Sequence, residues 1–145
     1  MAGHRPLNKA ILDTDIFSEI IKGVDQTATA HAKTYRRAFG HYTVSAVTVM
    51  EIVQGYQQKQ ATRQLQAFLT ALPSQDVLSF DEADGKLAGR IAGELERTGR
   101  PIGTADAMIA AIAIGHGLEL VTGNTAHFQR VQQLGYPLTL VNWRI

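Results

Sequence analysis

Five short runs of β-forming residues alternate with helical segments along the chain, and this alternation limits the folds that are open to it. Strands that are separated by helices pair in parallel, with right-handed crossovers. The predicted strands are residues 9–13, 42–45, 77–80, 118–122 and 138–141. We therefore expect an α/β fold, a three-layer α/β/α sandwich around a central, mainly parallel sheet.

The spacing of apolar residues predicts the helices between these strands. Leu65, Phe68, Leu69 and Leu72 recur at i, i+3, i+4 and i+7, which is typical of an amphipathic helix, and Pro73 follows as a stop signal. The predicted helices are residues 15–22, 28–39, 47–58, 62–72, 81–98, 104–114 and 125–133. Thr104 is the expected cap of the helix over 104–114, which is very apolar, so we expect this helix to be buried.

The composition is that of one folded domain. The chain has 145 residues, 45% of them apolar, and single domains usually hold about 100–200 residues. We expect one domain over residues 1–145. The formal net charge of +1 does not by itself indicate a nucleic-acid partner.

Several classes of site and location are excluded or disfavoured. The chain has no cysteine, which excludes disulfides, thiolate zinc sites and a cysteine nucleophile. It has no HExxH, P-loop or GxGxxG motif, so neither a zinc site nor a nucleotide cofactor is predicted. No apolar run approaches the roughly 20 residues that span a bilayer. Residues 1–9 are polar and resemble no signal peptide, so we expect a cytoplasmic protein without a membrane partner.

Four polar residues follow or flank the predicted strands. Asp13 ends the first strand, Glu51 lies in the helix after the second, Asp106 opens the apolar helix, and Asn124 follows the strand over 118–122. In open parallel sheets, sites form at the carboxyl ends of the strands. A carboxylate near a dry core is costly unless it is paired or metal-bound. Oxygen ligands in a cluster favour a hard cation such as Mg²⁺.

Each of these residues also has a simpler interpretation. Asp13 is suited to an Asx-turn or a helix cap, and Asp15 to the N-cap of the following helix. Asp106 is favoured near a helix N-terminus by the helix dipole, by about 0.3–1 kcal/mol. Glu51 on a helix is usually solvated, and Asn124 is a common turn residue. Only their joint placement after separate strands favours a metal site.

Basic and aromatic residues leave open whether the chain has a surface that binds nucleic acid. The basic clusters are Lys33, Arg36, Arg37 and His41; Lys59 and Arg63; and Arg90, Arg97 and Arg100. A solvated helix face explains any one of them, but a cluster beside the acidic residues would hold a phosphate backbone. Tyr35, Tyr42 and Tyr56 suit core packing, or stacking on unpaired bases.

Four segments of the chain, in the same order, resemble the motifs of PIN-domain proteins, the VapC and FitB toxins above all. They read ILDTDIFSE at 11–19, SAVTVMEI at 45–52, GTADAMIAA at 103–111 and LVTGNTAHF at 120–128. The terminal Val141-Asn142-Trp143 is also similar to that group. The resemblance implies a single PIN domain.

The resemblance implies the toxin of a type II toxin–antitoxin pair. Such a toxin is a Mg²⁺- or Mn²⁺-dependent endoribonuclease whose substrate is RNA, often tRNA or another structured RNA. A cognate VapB-type antitoxin blocks the site with its C-terminal segment and binds operator DNA with its N-terminal part. The toxin itself usually forms a homodimer and has no contact of its own with the operator.

Motif by motif, the resemblance assigns roles to individual residues. Asp13, Glu51 and Asp106 match the acidic triad that binds the metal, and Glu51 either binds the ion or positions the attacking water. Asn124, which is Asp in some members, completes the catalytic set. His127 stands where many relatives have Asp or Glu, and its role is left open. The residues expected to hydrogen-bond around the metal ligands are Thr14, Asp15, Ser18 and Thr104.

Two other functions are compatible with parts of this pattern. A non-catalytic PIN-like module would bind RNA or protein without cutting, and the three retained acids argue against it. A receiver-like phosphoacceptor also gathers acids at strand ends. We find no suitably placed lysine after a late strand, and therefore rank the phosphoacceptor last.

Overall fold

A computed structural model describes residues 7–145 of the chain. Most of the polar N-terminal segment used to predict a cytoplasmic location lies outside the described residues. The strands are β1 (Ala10–Leu12), β2 (Thr43–Ser45), β3 (Asp76–Leu78), β4 (Glu119–Val121) and β5 (Leu140–Val141). The α-helices are α1 (Thr14–Lys22), α2 (Gln26–Phe39), α3 (Ala46–Gln58), α4 (Thr62–Ala71), α5 (Glu82–Arg97), α6 (Thr104–His116) and α7 (Thr125–Gln133), and a 3₁₀ turn at Leu72–Ser74 follows α4.

The strand pairs of the described region are all parallel, as the alternation of elements predicts. β4 lies between β1 and β5, with Ile11 opposite Leu120 and Leu120 opposite Leu140. β2 pairs with β3, with Val44 opposite Val77. β1 also lies against β2, so the five strands run side by side in the order β3-β2-β1-β4-β5.

The hydroxyl of Tyr35 lies at the junction of β1 and β2. It accepts a hydrogen bond from the N–H of Ala10 at 3.1 Å and donates one to the carbonyl of Ala10 at 3.2 Å. Thr43 on β2 also interacts with it. Burial raises the pKa of this hydroxyl, which stays neutral. Because it satisfies both backbone groups of Ala10, the backbone ladder is interrupted there, and the strands form two hydrogen-bonded sheets.

Side chains on the strands alternate between two apolar layers. Ile11 on β1 and Leu120 on β4 belong to one cluster, which side chains of α5, α6 and α7 largely complete. Their neighbours Leu12 and Val121 belong to the other cluster, with side chains of α1, α2 and α3. The sheet therefore lies between two layers of helices, and the predicted three-layer α/β/α architecture is confirmed.

The apolar helix α6 is buried, as its sequence predicts. Ala107 and the run Ile109, Ala110, Ala111, Ile112 and Ala113 are at most 1% exposed. The helix packs against α5, α3 and β4, which accounts for its apolar sequence. No helix within residues 7–145 has the combined length and apolarity needed to cross a membrane.

At two helix starts the structure decides which residue is the N-cap. α1 begins at Thr14, and its N-cap is Asp13 rather than Asp15. α6 includes Thr104 as its first residue, and Gly103 occupies the capping position without a side-chain hydrogen bond. Gly103 has φ 90° and ψ 152°, a conformation that glycine adopts without steric cost. Thr104 is therefore already the first residue of the helix and does not occupy the capping position. The other element boundaries lie within two residues of the predicted ones.

We expect Tyr35→Phe to lower the free energy of unfolding by about 1–3 kcal/mol, because it leaves the buried N–H and C=O of Ala10 without their partner. Urea unfolding followed by circular dichroism would measure the change. Tyr136→Phe is the matched control, because that side chain is partly exposed and its hydroxyl has no hydrogen-bond partner among residues 7–145. Equal stability of the two variants would contradict the bridging role of Tyr35.

Candidate active site

Three strands end at one edge of the fold, and polar side chains follow each of them. Asp13 follows β1, Ser45 ends β2 and leads into α3, and Thr122 follows β4. Asp106 reaches the same place from the first turn of α6. Because the carboxyl ends of parallel strands meet at one edge, residues that are far apart in sequence come together here.

Four carboxylates are close enough to act on one another at this edge. The charges of Asp15 and Asp106 act on Asp13, and those of Glu51 and Asp15 act on Asp106. We call these four residues the acid pocket. The structure thus brings together the three acids that the sequence assigns to the catalytic set.

Asp13 is the most constrained member of the acid pocket. Its side chain is 6% exposed. Its Oδ1 accepts a hydrogen bond from the backbone N–H of Thr14, and its Oδ2 accepts one from the hydroxyl of Thr122, each at 2.8 Å. Burial, and then the charge of Asp15, raise the pKa of Asp13 to about 8, with a smaller contribution from Asp106. Asp13 is therefore both the cap of α1 and a buried acid that forms no ion pair with a basic side chain of residues 7–145.

A chain of hydroxyl groups orients Glu51. The hydroxyl of Thr14 donates to Glu51 Oε1 at 2.6 Å, and the hydroxyl oxygens of Thr14 and Thr48 are 2.9 Å apart. Since a hydroxyl has one proton to donate, Thr48 donates to Thr14, and Ser45 in turn donates to Thr48 at 3.4 Å. The chain ends on the carboxylate of Glu51 and holds it as a hydrogen-bond acceptor.

Asp106 lies near the N-terminus of α6 and contacts a histidine. Its side chain is 24% exposed, and its Oδ2 is 3.0 Å from His127 Nδ1. Burial raises the pKa of Asp106, and so do the charges of Glu51 and Asp15, whereas His127 acts in the opposite direction. The helix dipole alone therefore does not describe this residue, because partial burial and neighbouring charges dominate its environment.

Asn124 connects the two acids that the sequence assigns as direct metal ligands. Its backbone N–H donates to the hydroxyl of Thr122 at 3.0 Å, and Thr122 donates to Asp13. Its side-chain amide nitrogen is 3.0 Å from His127 Nδ1, the atom that also faces Asp106. When Nδ1 of His127 carries a proton, it donates a hydrogen bond to the carboxylate of Asp106. When Nδ1 is unprotonated, it accepts a hydrogen bond from the amide of Asn124.

Arg144 covers one side of the acid pocket from the C-terminal end of the chain. Its guanidinium donates to Glu19 Oε2 at 2.9 Å and lies 3.6 Å from Asp15 Oδ2. A Cβ atom on Gly123 would lie 1.9 Å from Arg144 Nη1, so the missing side chain at position 123 makes room for the guanidinium. Arg144 thereby balances the charge of Asp15 at the outer rim of the pocket.

The residues expected to support the metal ligands have different surroundings. Thr14 hydrogen-bonds to Glu51, and Asp15 interacts with Asp13. Ser18 lines a groove together with Thr14 and Glu51. Thr104 is exposed, and its hydroxyl has no hydrogen-bond partner among residues 7–145.

Sequence reasoning missed several polar residues of this site. Thr122 and Thr48 were not singled out, and no contact was foreseen for His127 or Arg144. A faint signal exists for two of them. Thr48 lies three residues before Glu51 and His127 lies three residues after Asn124, a spacing that places side chains on one helix face.

The donor set fits a hard divalent cation. Asp13, Glu51 and Asp106 offer carboxylate oxygens and Asn124 an amide oxygen, which are the ligands that Mg²⁺ and Mn²⁺ prefer. Within residues 7–145, no three His, Asp or Glu side chains are already arranged as a ligand set. Mg²⁺ commonly takes only one or two carboxylates and completes its shell with water. The raised pKa values of Asp13 and Asp106 mark a place where a cation stabilises the ionised acids.

Comparison with known proteins identifies the group to which this architecture belongs. The model of the PIN domain family matches residues 10–134. The tRNA(fMet)-specific endonuclease VapC of Shigella flexneri is 37% identical over 124 residues, which cover 85% of this chain and 92% of that protein. Ribonuclease VapC2 of Haemophilus influenzae is 30% identical over 127 residues, again 85% of this chain and 92% of that protein.

Solved structures share the fold along nearly the whole chain. DNA-bound VapBC from Salmonella typhimurium superimposes with a TM-score of 0.77 and 27% identity, over 94% of this chain and 99% of that chain. VapBC2 from Rickettsia felis, bound to a promoter DNA fragment, gives a TM-score of 0.76 and 26% identity, over 92% and 98% of the two chains. The expectation of a single domain over residues 1–145 stays a prediction.

The buried acid Asp13 makes the stability of the metal-free protein depend on pH. The folded carboxyl keeps its proton up to about pH 8, whereas the unfolded one releases it near its ordinary value of 3.8. In EDTA we therefore expect the free energy of unfolding to fall as the pH rises from about 4 to about 8, by up to about 1.4 kcal/mol per pH unit.

Urea unfolding at several pH values, with Asp13→Asn as the reference, isolates this contribution from those of the other acids. The variant has no proton to lose at position 13, so its stability falls less over the same range. Mn²⁺ flattens the wild-type dependence if it binds the ionised pocket. Identical pH profiles of the two proteins in EDTA would show that Asp13 titrates normally.

Proposed function

The chain belongs to the PIN-domain family, and on that basis we propose that it is the toxin of a type II toxin–antitoxin pair, a VapC-type endoribonuclease that hydrolyses RNA phosphodiester bonds. The observation that carries the proposal is the acid pocket. Asp13, Glu51 and Asp106 come from three separate parts of the chain, and at one sheet edge Asp106 interacts with both of the others. The relatives from Shigella and Haemophilus are a tRNA-specific endonuclease and a ribonuclease.

Mg²⁺ or Mn²⁺ is the cofactor that this pocket would take. Asp13 and Asp106 would hold the ion directly, and Glu51 would hold it or position the attacking water. When bound, such an ion activates water and stabilises the charge that develops on a phosphodiester. The carboxylates bind it only when ionised, so bound metal and the protons on Asp13 and Asp106 compete.

The neighbouring side chains orient this machinery. Thr122 and the N–H of Thr14 fix both oxygens of Asp13, which leaves the carboxylate little freedom to rotate. The Ser45–Thr48–Thr14 hydroxyl chain presents Glu51 in one orientation. We assign to Asn124 the role of orienting a ligand water or the scissile phosphate, which its contact with His127, the neighbour of Asp106, supports.

The proposed substrate is a structured RNA, with tRNA as the first candidate. The Shigella relative, which acts on tRNA(fMet), aligns with 85% of this chain. The choice among structured RNAs depends on the shape of the RNA and on its unpaired bases rather than on the acids of the nuclease.

The proposed partners follow from the assemblies in which the structural relatives occur. The Salmonella and Rickettsia structures are VapBC complexes on DNA. We therefore propose a cognate VapB-type antitoxin for this chain, with operator DNA bound through the antitoxin and with the toxin as a homodimer. Co-expression with the neighbouring small open reading frame, followed by size-exclusion chromatography, tests this assignment.

We expect Asp106→Asn to abolish RNA cleavage, because it removes a charged ligand while keeping the size of the side chain. A gel assay on tRNA with saturating Mg²⁺, and with EDTA as the metal-free reference, measures the loss. Circular dichroism checks that the variant is folded. Cleavage by the variant, or wild-type cleavage that persists in EDTA, would refute the metal mechanism. RNA binding without cleavage by the wild type would favour a non-catalytic module.

We expect Thr14→Val to lower the cleavage rate about 10- to 100-fold, the usual effect of losing a group that orients a metal ligand. The change removes the hydrogen bond to Glu51 but keeps the shape of the side chain. Thr14→Ser should restore most of the rate, since it restores the hydroxyl. Thr34→Val is the matched control, because among residues 7–145 its exposed hydroxyl bonds only to the carbonyl of Ala30. No rescue by serine would mean that packing, not the hydroxyl, is what matters.

A further inference from the structure

A groove leaves the acid pocket between α1 and α3. Both helices begin at the strand ends that form the pocket, and they pack against each other. Thr14, Ser18 and Lys22 line the groove from α1. These residues are spaced four apart, so they form one stripe along the helix.

The facing helix contributes a matching stripe. Glu51 and Gly55, followed by Lys59 at the end of α3, also lie four residues apart and line the same groove. At a rise of 1.5 Å per residue, each stripe extends about 12 Å from the pocket. The groove therefore has Glu51 of the acid pocket at its inner end and two lysines at its outer end, one from each helix.

The two lysines are available to an anion. Both are exposed, and within residues 7–145 neither is ion-paired with a carboxylate, in contrast to Lys86, Arg97 and Arg144. The negative end of a helix dipole favours a cation at either position. That effect explains a lysine at a helix end, but it does not explain why both lysines face one groove that opens on the acid pocket.

Gly55 lies in the wall at the middle of the groove. A Cβ atom at this position would meet nothing within 4 Å, so the packing of the fold does not require a glycine. Glycine in a helix interior lowers stability relative to alanine. Packing does not explain this glycine, but its lack of a side chain would leave room for an extended strand in the groove.

We propose that Lys22 and Lys59 bind backbone phosphates of the RNA strand next to the scissile phosphate, and that the groove between α1 and α3 carries this strand away from the acid pocket. The inference rests on the proposed function, since it assigns the path of that substrate. Of the predicted basic clusters, it uses Lys59 but not its sequence neighbour Arg63 or the α2 residue Lys33, neither of which lines the groove.

The test measures RNA binding and its dependence on salt. The probe is a fluorescein-labelled single-stranded RNA, and the background is Asp106→Asn in Mg²⁺, so that binding is separated from cleavage. Each phosphate contact to a single strand contributes about 0.7 to the slope of log K against log salt concentration. We expect the double variant Lys22→Gln/Lys59→Gln to bind more weakly and to reduce that slope by about 1.4.

Two further variants keep the test specific. Lys33→Gln removes an exposed lysine outside the groove and should leave the salt slope unchanged. Gly55→Leu keeps both lysines but fills the groove, and should weaken RNA binding without lowering the melting temperature. A double lysine variant with the wild-type slope overturns the proposal, and so does full binding by Gly55→Leu.

The same variants without the Asp106 substitution distinguish the two proposals. If the wild type cleaves RNA and the lysine substitutions change neither KM nor the salt slope, the groove proposal fails and the nuclease stands. If the wild type binds RNA with a lysine-dependent slope but does not cleave it in Mg²⁺, the nuclease proposal fails and the groove stands. If the chain binds no RNA, the groove proposal is overturned.

Discussion

The desolvated carboxylate of Asp13 is the constraint around which the rest of the site is built. A buried acid is tolerated when hydrogen bonds hold its charged form or when a cation neutralises it. The N–H of Thr14 and the hydroxyl of Thr122 supply the hydrogen bonds, yet burial and Asp15 still raise the pKa to about 8. The protein thus keeps a buried acid that holds its proton up to about pH 8 and that a bound metal ion would stabilise in its ionised form. This arrangement exists only because β1 and β4 are neighbours in parallel register, with Leu12 opposite Val121.

Basic side chains lie at three distances from the acid pocket. His127 faces Asp106 inside the site, and Arg144 balances Asp15 and Glu19 at its rim. Lys22 and Lys59 lie at the outer end of the groove, without carboxylate partners among residues 7–145. The proposed metal ion at the centre, together with the two ammonium groups farther out, would offset the repulsion between the acids and the phosphates of an RNA strand.

Much of the fold could be predicted because it depends on local patterns. Apolar periodicity located each helix of residues 7–145 to within about one turn, and the strand–helix alternation led directly to a parallel sheet. The failures concern choices between close competitors. Asp13 and Asp15 are both good caps, and the position where the strand ends decided between them. Gly103, which has a positive φ, is the N-cap of α6, and Thr104 is the first residue of the helix rather than its cap. Tyr35 was predicted to pack or to stack on bases, and nothing local indicated that its hydroxyl would bond to Ala10.

The sequence by itself determined which polar side chains were available to the site: Asp13 and Asn124 after strands, and Glu51 and Asp106 within helices. Local hydrophobic patterning suffices for that, because it sets where strands stop and helices start. Only the tertiary structure decided which of these groups touch. The contacts Thr122–Asp13, Thr14–Glu51 and His127–Asp106 join residues 109, 37 and 21 positions apart. Such contacts depend on sheet order and helix packing, and the pKa of a carboxylate depends on the burial and the neighbouring charges that this packing creates.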